Sequence, residues 1–420
     1  MNDTPQAAKG EAVETASLGV VDGMLRAQVL ARFDAIRTGD LRIVDRGEEH
    51  AFGPGAPASS EEVRARVHVL DPQFWSAIAL KGSVGAGEAY MDGWWRADDL
   101  VDVVRLLVRN RDALEELEKG LARLAVPILR FVHDRRRNHR EGSRRNIAEH
   151  YDLGNEFYAL WLDESLTYSA AIFESPDATL ADAQFAKLDR ICRKLDLRPD
   201  DHVIEIGTGW GSFAVHAAQR YGCRVTTTTI SAEQRRVAEQ RIATAGLVDR
   251  VTVLDQDYRD LSGTYDKLVS IEMIEAVGHE FLDTYFAKCA QLLRPEGSAC
   301  IQAITIADRF HDRALHSVDF IQRYIFPGCY IPSEASIAAS IARATDFRLV
   351  ATERIGIHYA RTLRAWRERF LDRLEEVRAQ GFDERFVRMW EFYLAYCEGG
   401  FAEGQLDDVQ LVFTRTDTRI

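Results

Sequence analysis

The chain has 420 residues, 46% hydrophobic and 28% charged, more than one core usually serves, so two domains are expected. Its 53 Lys and Arg stand against 66 Asp and Glu, a net charge of −13, which argues against a nucleic-acid partner. Six scattered cysteines with no Cys-x-x-Cys pair argue against a metal or redox motif, and no run of 18 apolar residues is present to span a bilayer.

Residues 1–20 are small and polar and are expected to form a disordered tail without a signal segment, which fits a cytoplasmic protein. Helical spacing over residues 24–33 predicts a helix. Alternation over 41–44 and 63–69 predicts strands on either side of the Gly53-Pro54-Gly55-Ala56-Pro57 loop. A glycine-rich stretch, residues 82–87, leads into Glu88-Ala89-Tyr90-Met91-Asp92-Gly93-Trp94-Trp95, and amphipathic helices follow from 98 to about 133. Residues 21–133 therefore read as a small α+β domain. Residues 134–146 form a basic linker with six arginines between 135 and 145. That run is either a solvated connection or a contact to anionic lipid, worth about 1 kcal/mol per basic residue at a charged bilayer surface.

From residue 147 to 420 a second domain is expected. Strands are predicted at 202–206, 224–229, 251–254, 267–271 and 299–304, separated by amphipathic helices. Two later strands, 347–353 and 409–414, flank a helical stretch over about 362–401, and the last strand is compatible with an antiparallel course. Such alternation predicts an α/β fold with a mostly parallel, Rossmann-like sheet.

The most informative segment is His202-Val203-Ile204-Glu205-Ile206-Gly207-Thr208-Gly209-Trp210-Gly211, an apolar strand running into a glycine turn that opens a helix. Glycines there let a ligand approach the backbone closely, at the carboxyl end of a strand where such sheets bind ligands. A nicotinamide site would prefer Gly-x-Gly-x-x-Gly and an acidic residue about 20 positions on. Here the spacing is Gly-x-Gly-x-Gly, and the second strand ends in Thr229-Ile230-Ser231. Glu205 before the turn and Asp257 after the third strand suit S-adenosylmethionine better than NAD. A tight turn with no ligand is the bland alternative.

Several motifs then follow in one order: Tyr151-Asp152-Leu153-Gly154-Asn155, Leu166-Thr167-Tyr168-Ser169, the glycine turn, Thr229-Ile230-Ser231-Ala232-Glu233-Gln234, Gln256-Asp257-Tyr258-Arg259-Asp260-Leu261 and Arg323-Tyr324-Ile325-Phe326-Pro327-Gly328. From about residue 146 onward the chain resembles the cyclopropane-fatty-acyl-phospholipid synthases and the related mycolic-acid enzymes. The resemblance implies a class I S-adenosylmethionine-dependent methyltransferase with a seven-stranded sheet. It implies methyl transfer to the double bond of an unsaturated acyl chain in a membrane phospholipid, most simply giving a cyclopropane. The bilayer surface would be the partner, from the inner, cytoplasmic side, and a homodimer is possible.

Carried over residue by residue, Tyr168 and Ser169 match the pair at the cofactor's amino-acid end, and Glu205, Gly207 and Gly209 the turn beneath it. Thr229, Ile230 and Gln234 match positions near the ribose, and Gln256, Asp257 and Tyr258 positions near the adenine. Tyr151, Asp152 and Asn155 match a lid over the cofactor. Tyr324, Phe326 and Tyr330 are candidates to face the acyl chain, or plain core.

The resemblance also implies bicarbonate as the base, held by a cysteine, a glutamate, a histidine, a backbone amide and a tyrosine. Glu275, Ile304 and Tyr359 match three of these. Ala170 stands at the cysteine position and Gln302 at the histidine position, while Glu272 stands where relatives often carry glycine and Ala276 where they carry histidine. The bicarbonate site is thus altered. Either it binds the anion more weakly and the product is a cyclopropane, or Glu272 or Glu275 takes the proton and the product is a methylated or methylene-bearing chain. Cys397 matches a cysteine once suspected as a nucleophile, but methyl transfer to an alkene needs no covalent intermediate, so it reads as a packed helix residue. A Rossmann oxidoreductase and a non-catalytic lipid-binding homologue are the competing readings.

Overall fold

The computed structural model describes residues 20–55, 62–112, 114, 142 and 153–415. The expected tail, the arginine-rich linker, most of the helical segment after 112, and Tyr151 and Asp152 lie outside the described residues.

The N-terminal unit comprises α1 (Val20–Phe33), β1 (Asp40–Asp45), β2 (Glu48–Phe52), β3 (Arg64–Val69), α2 (Gln73–Met91), β4 (Trp95–Ala97) and α3 (Leu100–Arg109). Its sheet runs β2-β1-β3-β4, with β1 and β3 parallel. Leu41 and Ile43 of β1 and Ala65 and Val67 of β3 turn inward at period two. The glycine-rich stretch lies inside α2, which kinks at Gly82 (φ 56°, ψ −131°). Each interior glycine costs a helix about 1 kcal/mol, and tertiary packing outweighs it: Gly87 lies flat against the rings of Phe320 and Phe392. Ion pairs add to this join, with Arg105 and Arg109 both donating to Glu403 at 2.8 and 2.7 Å.

The second unit runs α4 (Asn155–Trp161), α5 (Leu180–Lys194), β5 (His202–Ile206), α6 (Ser212–Tyr221), β6 (Arg224–Thr229), α7 (Ala232–Thr244), β7 (Val251–Asp255), β8 (Tyr265–Ile271), α8 (Leu282–Leu292), β9 (Leu293–Ile306), α9 (Asp308–Leu315), α10 (Glu334–Ala344), β10 (Phe347–Arg354), α11 (Gly356–Asp372), α12 (Leu374–Ala379), α13 (Glu384–Ala402) and β11 (Leu406–Arg415). The strand order is β10-β11-β9-β8-β5-β6-β7. β7, β6, β5, β8 and β9 are parallel, and β11 is antiparallel to both of its neighbours. This is the Rossmann-like α/β sheet of class I methyltransferases. Because β11 runs backwards, its first residues lie beside the carboxyl ends of β8 and β9. Aromatic side chains pack α4, α11 and α13 together beneath that end: Phe157 meets Trp390 at 5.0 Å and Trp161 meets Trp366 at 5.6 Å between ring centroids.

Candidate active site

β5 ends in a turn whose glycines take positive φ: 101° at Gly207, 51° at Gly209 and 86° at Gly211. The amides of Gly207 and Thr208 both donate to the carbonyl of Thr228, at 3.1 and 3.0 Å, which fastens the turn to β6. A Cβ on Gly209 would meet no described atom within 4 Å, because the position opens onto a cavity of about 750 Å³. The Trp210 indole donates to Asn155 Oδ1 at 2.6 Å, and the Asn155 amide donates to Glu233 Oε2 at 3.2 Å. The start of α4 is thereby tied to the turn and to α7.

Tyr168, Ser169, Glu205, Gly207, Gly209, Thr229, Ile230, Gln234, Gln256, Asp257 and Tyr258 all line the cavity. The site fits S-adenosylmethionine in two respects. Gly209 leaves a cradle that any side chain would fill, and Glu205 Oε2 is buried with no hydrogen-bond partner, an acceptor suited to a cationic amino group. Burial pushes the Glu205 carboxyl up to about 8. Asp257, expected at the adenine amine, also receives Arg259 at both oxygens, at 2.8 and 2.7 Å. Thr229 Oγ1 donates to Gln234 Oε1 at 3.3 Å. Tyr168 and Tyr393 share a hydroxyl hydrogen bond of 2.7 Å.

Deeper in the cavity stands Glu272, in the left-handed region at φ 48°. That conformation favours glycine and strains other residues by about 1–2 kcal/mol. The strain accompanies a three-point anchor: the carboxylate accepts the Ala170 amide at 2.7 Å, Gln302 Nε2 at 2.7 Å and the Tyr359 hydroxyl at 2.8 Å. Glu275 Oε1 accepts the Ile304 amide at 2.5 Å, and its Oε2 is buried without a hydrogen-bond partner. Burial raises both carboxyl groups, Glu275 to about 8 with Glu272 adding to the rise; the Ala170 amide and Lys187 oppose the shift at Glu272.

The resemblance matches Ala170, Gln302, Ile304, Glu275 and Tyr359 to the bicarbonate positions and already marks that site as altered; with their donors engaged by Glu272 and Glu275, these residues do not fit the anion. Tyr359 has a single hydroxyl proton, and Glu272 takes it. Gln302 and the Ala170 amide also serve Glu272, and both residues are fully buried behind it rather than on the cavity wall. The Ile304 amide serves Glu275. A further anion would join two buried carboxyls with its expected donors already engaged.

Cys397 lines the cavity, and burial holds its thiol far above the ordinary value, which keeps it protonated and apolar rather than nucleophilic. Phe326 and Tyr330 face the cavity. Tyr324 does not line it and donates instead to Glu88 Oε1 of α2 at 2.6 Å.

Two buried charged groups escaped the sequence reading. Lys187 of α5 is fully buried and donates to Ser169 Oγ at 2.7 Å. Burial lowers it to about 8, against the pull of Glu272, Asp408, Asp163 and Glu205. Asp408 of β11 is also fully buried. Each left a signal, because Lys187 sits on the apolar stripe of α5 with Ala183 and Ile191, and Asp408 directly precedes the buried run Val409–Phe413.

A family model, mycolic acid cyclopropane synthetase, matches residues 138–411. Tuberculostearic acid methyltransferase of Mycobacterium tuberculosis is 43% identical over 348 residues, 80% of each chain. Cyclopropane-fatty-acyl-phospholipid synthase of Escherichia coli is 39% identical over 353 residues, 84% of this chain and 88% of that one. Among solved structures, a cyclopropane synthase from Mycobacterium tuberculosis superposes with a TM-score of 0.61 at 30% identity, over 65% of this chain and 98% of that one. A mycolic acid cyclopropane synthase complexed with SAH and CTAB gives 0.61 at 29% identity, over the same shares.

Proposed function

This chain belongs to the mycolic acid cyclopropane synthetase family of S-adenosylmethionine-dependent methyltransferases, and from that premise we propose that it methylates the double bond of an unsaturated acyl chain in a membrane phospholipid, with Glu272 as the proton acceptor. The observation that carries this reading is the anchored Glu272 carboxylate, which engages the Ala170, Gln302 and Tyr359 donors around the expected anion position.

When bound, S-adenosylmethionine would supply an electrophilic methyl group whose bond to sulfur breaks as the alkene π electrons take it, releasing S-adenosylhomocysteine and leaving a cation on the neighbouring carbon. The chain's residues do the rest. Phe326, Tyr330 and Phe401 line the cavity, exclude water that would capture the cation, and offer ring faces to it. Tyr359 aims the Glu272 carboxylate, whose three donors favour its ionised form. Lys187 balances that charge from beneath.

Two products follow from one cation. Loss of a proton from the transferred methyl to Glu272, with its C–H electron pair closing onto the cationic carbon, gives a cyclopropane. If a hydride first shifts to the cationic carbon, the cation moves to the methyl-bearing carbon, and the same proton loss forms a C=CH₂ branch and a methylene-bearing chain. The 43% identical relative, a methyltransferase by name, supports a methylated or methylene-bearing chain as the first reading. The 39% identical synthase supports the cyclopropane as the second. No described helix is long and apolar enough to cross a membrane, and the arginines at 135–145 are the proposed contact to anionic headgroups.

Incubation with S-adenosylmethionine and unsaturated phospholipid vesicles, followed by mass spectrometry and proton NMR of the acyl chains, tests the reading. Both products add one CH₂. Vinylidene protons identify the methylene, upfield ring protons identify the cyclopropane, and an unaltered lipid overturns the reading.

A further inference from the structure

Glu272 and Asp408 converge on one side-chain amide. Gln302 Nε2 donates to Glu272 Oε1 at 2.7 Å and to Asp408 Oδ2 at 2.8 Å. The orientation of that amide is fixed from the other side: Gln302 Oε1 accepts from Gln410 Nε2 at 2.9 Å, and Gln410 Oε1 accepts from Lys194 Nζ at 2.6 Å. Turning Gln302 over would set its oxygen against two carboxyl groups. The fold makes this meeting possible. Residue 272 follows β8 directly, and β11 is antiparallel, so Asp408 stands beside Ile304 in the register at the same sheet end.

The two acids are unequally provided for. Glu272 has three donors, from Ala170, Gln302 and Tyr359. Asp408 has Gln302 as its donor, it is fully buried, and its Oδ1 has no hydrogen-bond partner; burial and the neighbouring Glu272 carboxyl hold its own carboxyl well above the ordinary value. Two carboxylates this close do not both ionise at neutral pH. The charged and titratable groups facing the pair are Lys187 from α5, Glu275 from the segment after β8 and Tyr359 from α11. Lys187 faces Asp163 and Glu205 as well as the pair, so it does not balance a negative charge on both Glu272 and Asp408. The better-anchored acid takes the charge.

We propose that Asp408 is a positioning residue that holds a proton in the resting enzyme and donates it as a hydrogen bond to Glu272, so that Glu272 alone carries the charge. The inference rests on Glu272 as the reacting carboxylate. Asp408 touches no reacting atom. It keeps its neighbour ionised and aimed into the cavity, and a tightly coupled pair of this kind titrates as a unit.

The test uses the full chain and two readouts. Infrared difference spectra in H₂O and D₂O between pH 6 and 8 report protonated buried carboxyl groups. Wild type minus Asp408→Asn is expected to show the lost carboxyl C=O band, and wild type minus Glu272→Gln is expected to show none. A band lost with Glu272→Gln but kept with Asp408→Asn places the proton on Glu272 and overturns the inference, as does no difference in either spectrum. In turnover, Asp408→Asn keeps a donor for Glu272 and is expected to stay within about threefold of wild type, less than the loss of a whole hydrogen bond to a charged group would produce. Asp408→Leu has no donor and is expected to lower kcat about ten- to hundredfold with unchanged S-adenosylmethionine affinity. Equal rates for the Asn and Leu variants contradict the inference. A fully active Glu272→Gln variant would instead remove the base assignment, while leaving the infrared result for Asp408 standing.

Discussion

The Tyr359 hydroxyl donates to Glu272 Oε2 at 2.8 Å, and this contact joins α11 to the carboxyl end of β8. Replacing Tyr359 with Phe removes one of three donors to the ionised carboxylate. A hydrogen bond to a charged group is worth about 1.5–3 kcal/mol, so without Tyr359 the Glu272 carboxyl rises further. The sign follows directly: the base must be ionised, so the acidic limb of the pH–rate profile moves to higher pH. An unmoved limb in Tyr359→Phe would show that Glu272 does not set the profile.

Gly209 tests the cofactor cradle. Its φ of 51° disfavours a β-branched residue, and its open Cβ direction points any side chain into the cavity. Gly209→Val is expected to fold and to bind S-adenosylmethionine at least about tenfold more weakly. In a thermal-shift experiment at 100 times its Kd, the ligand stabilises the wild type by about 2.7 kcal/mol, and the variant shows little of this. Equal shifts would refute the placement of the cofactor.

Glu275 carries a pH signature in stability. Its folded-state carboxyl sits at about 8, above the ordinary 4.5, because of burial and Glu272. Between these values the folded chain keeps a proton that the unfolded chain has released, so stability falls as pH rises, by at most about 1.4 kcal/mol per pH unit. Glu275→Gln cannot ionise and lacks that slope. Denaturant titrations should show the variant close to wild type at pH 5 and increasingly more stable than it towards pH 8.

At Gly87 the two units of the chain meet, against Phe320 and Phe392. A Cβ there overlaps the Phe320 ring and comes within 3.1 Å of Phe392 Cε1. Gly87→Ala should improve helix propensity yet destabilise the protein by about 1–3 kcal/mol through overpacking. A stabilised variant in denaturant unfolding would contradict this packing.

The parts of the site that were legible in the sequence are those where neighbours in sequence are neighbours in space. Gly207 and Gly209 follow an apolar strand directly, and the strand-turn-helix reading fixed their place. The central strands were equally plain, because buried β-branched runs alternate with amphipathic helices. The Glu272 anchor was half visible: the residues were named, but as an anion site missing two ligands. Ala170 offers its backbone amide, which no side-chain comparison reports, and Gln302 turns towards an acid that relatives' positions do not suggest. The partner of Asp408 was hidden for a topological reason. Asp408 meets Glu272 only because β11 runs antiparallel, across a sequence separation that local patterning cannot bridge. Helix α2 was obscured by its glycines, whose low propensity is overridden by packing from α13 and Phe320.

The measurement that tests the account most directly is turnover with and without bicarbonate, in buffer freed of dissolved carbon dioxide. Wild-type methyl transfer is expected to proceed at the same rate in both conditions, because Glu272 engages the donors around the expected anion position. Glu272→Gly restores the residue that suits φ 48° and is expected to be nearly inactive until bicarbonate is added, which then restores part of the rate. A wild-type rate that collapses without bicarbonate and recovers on its return would contradict the account.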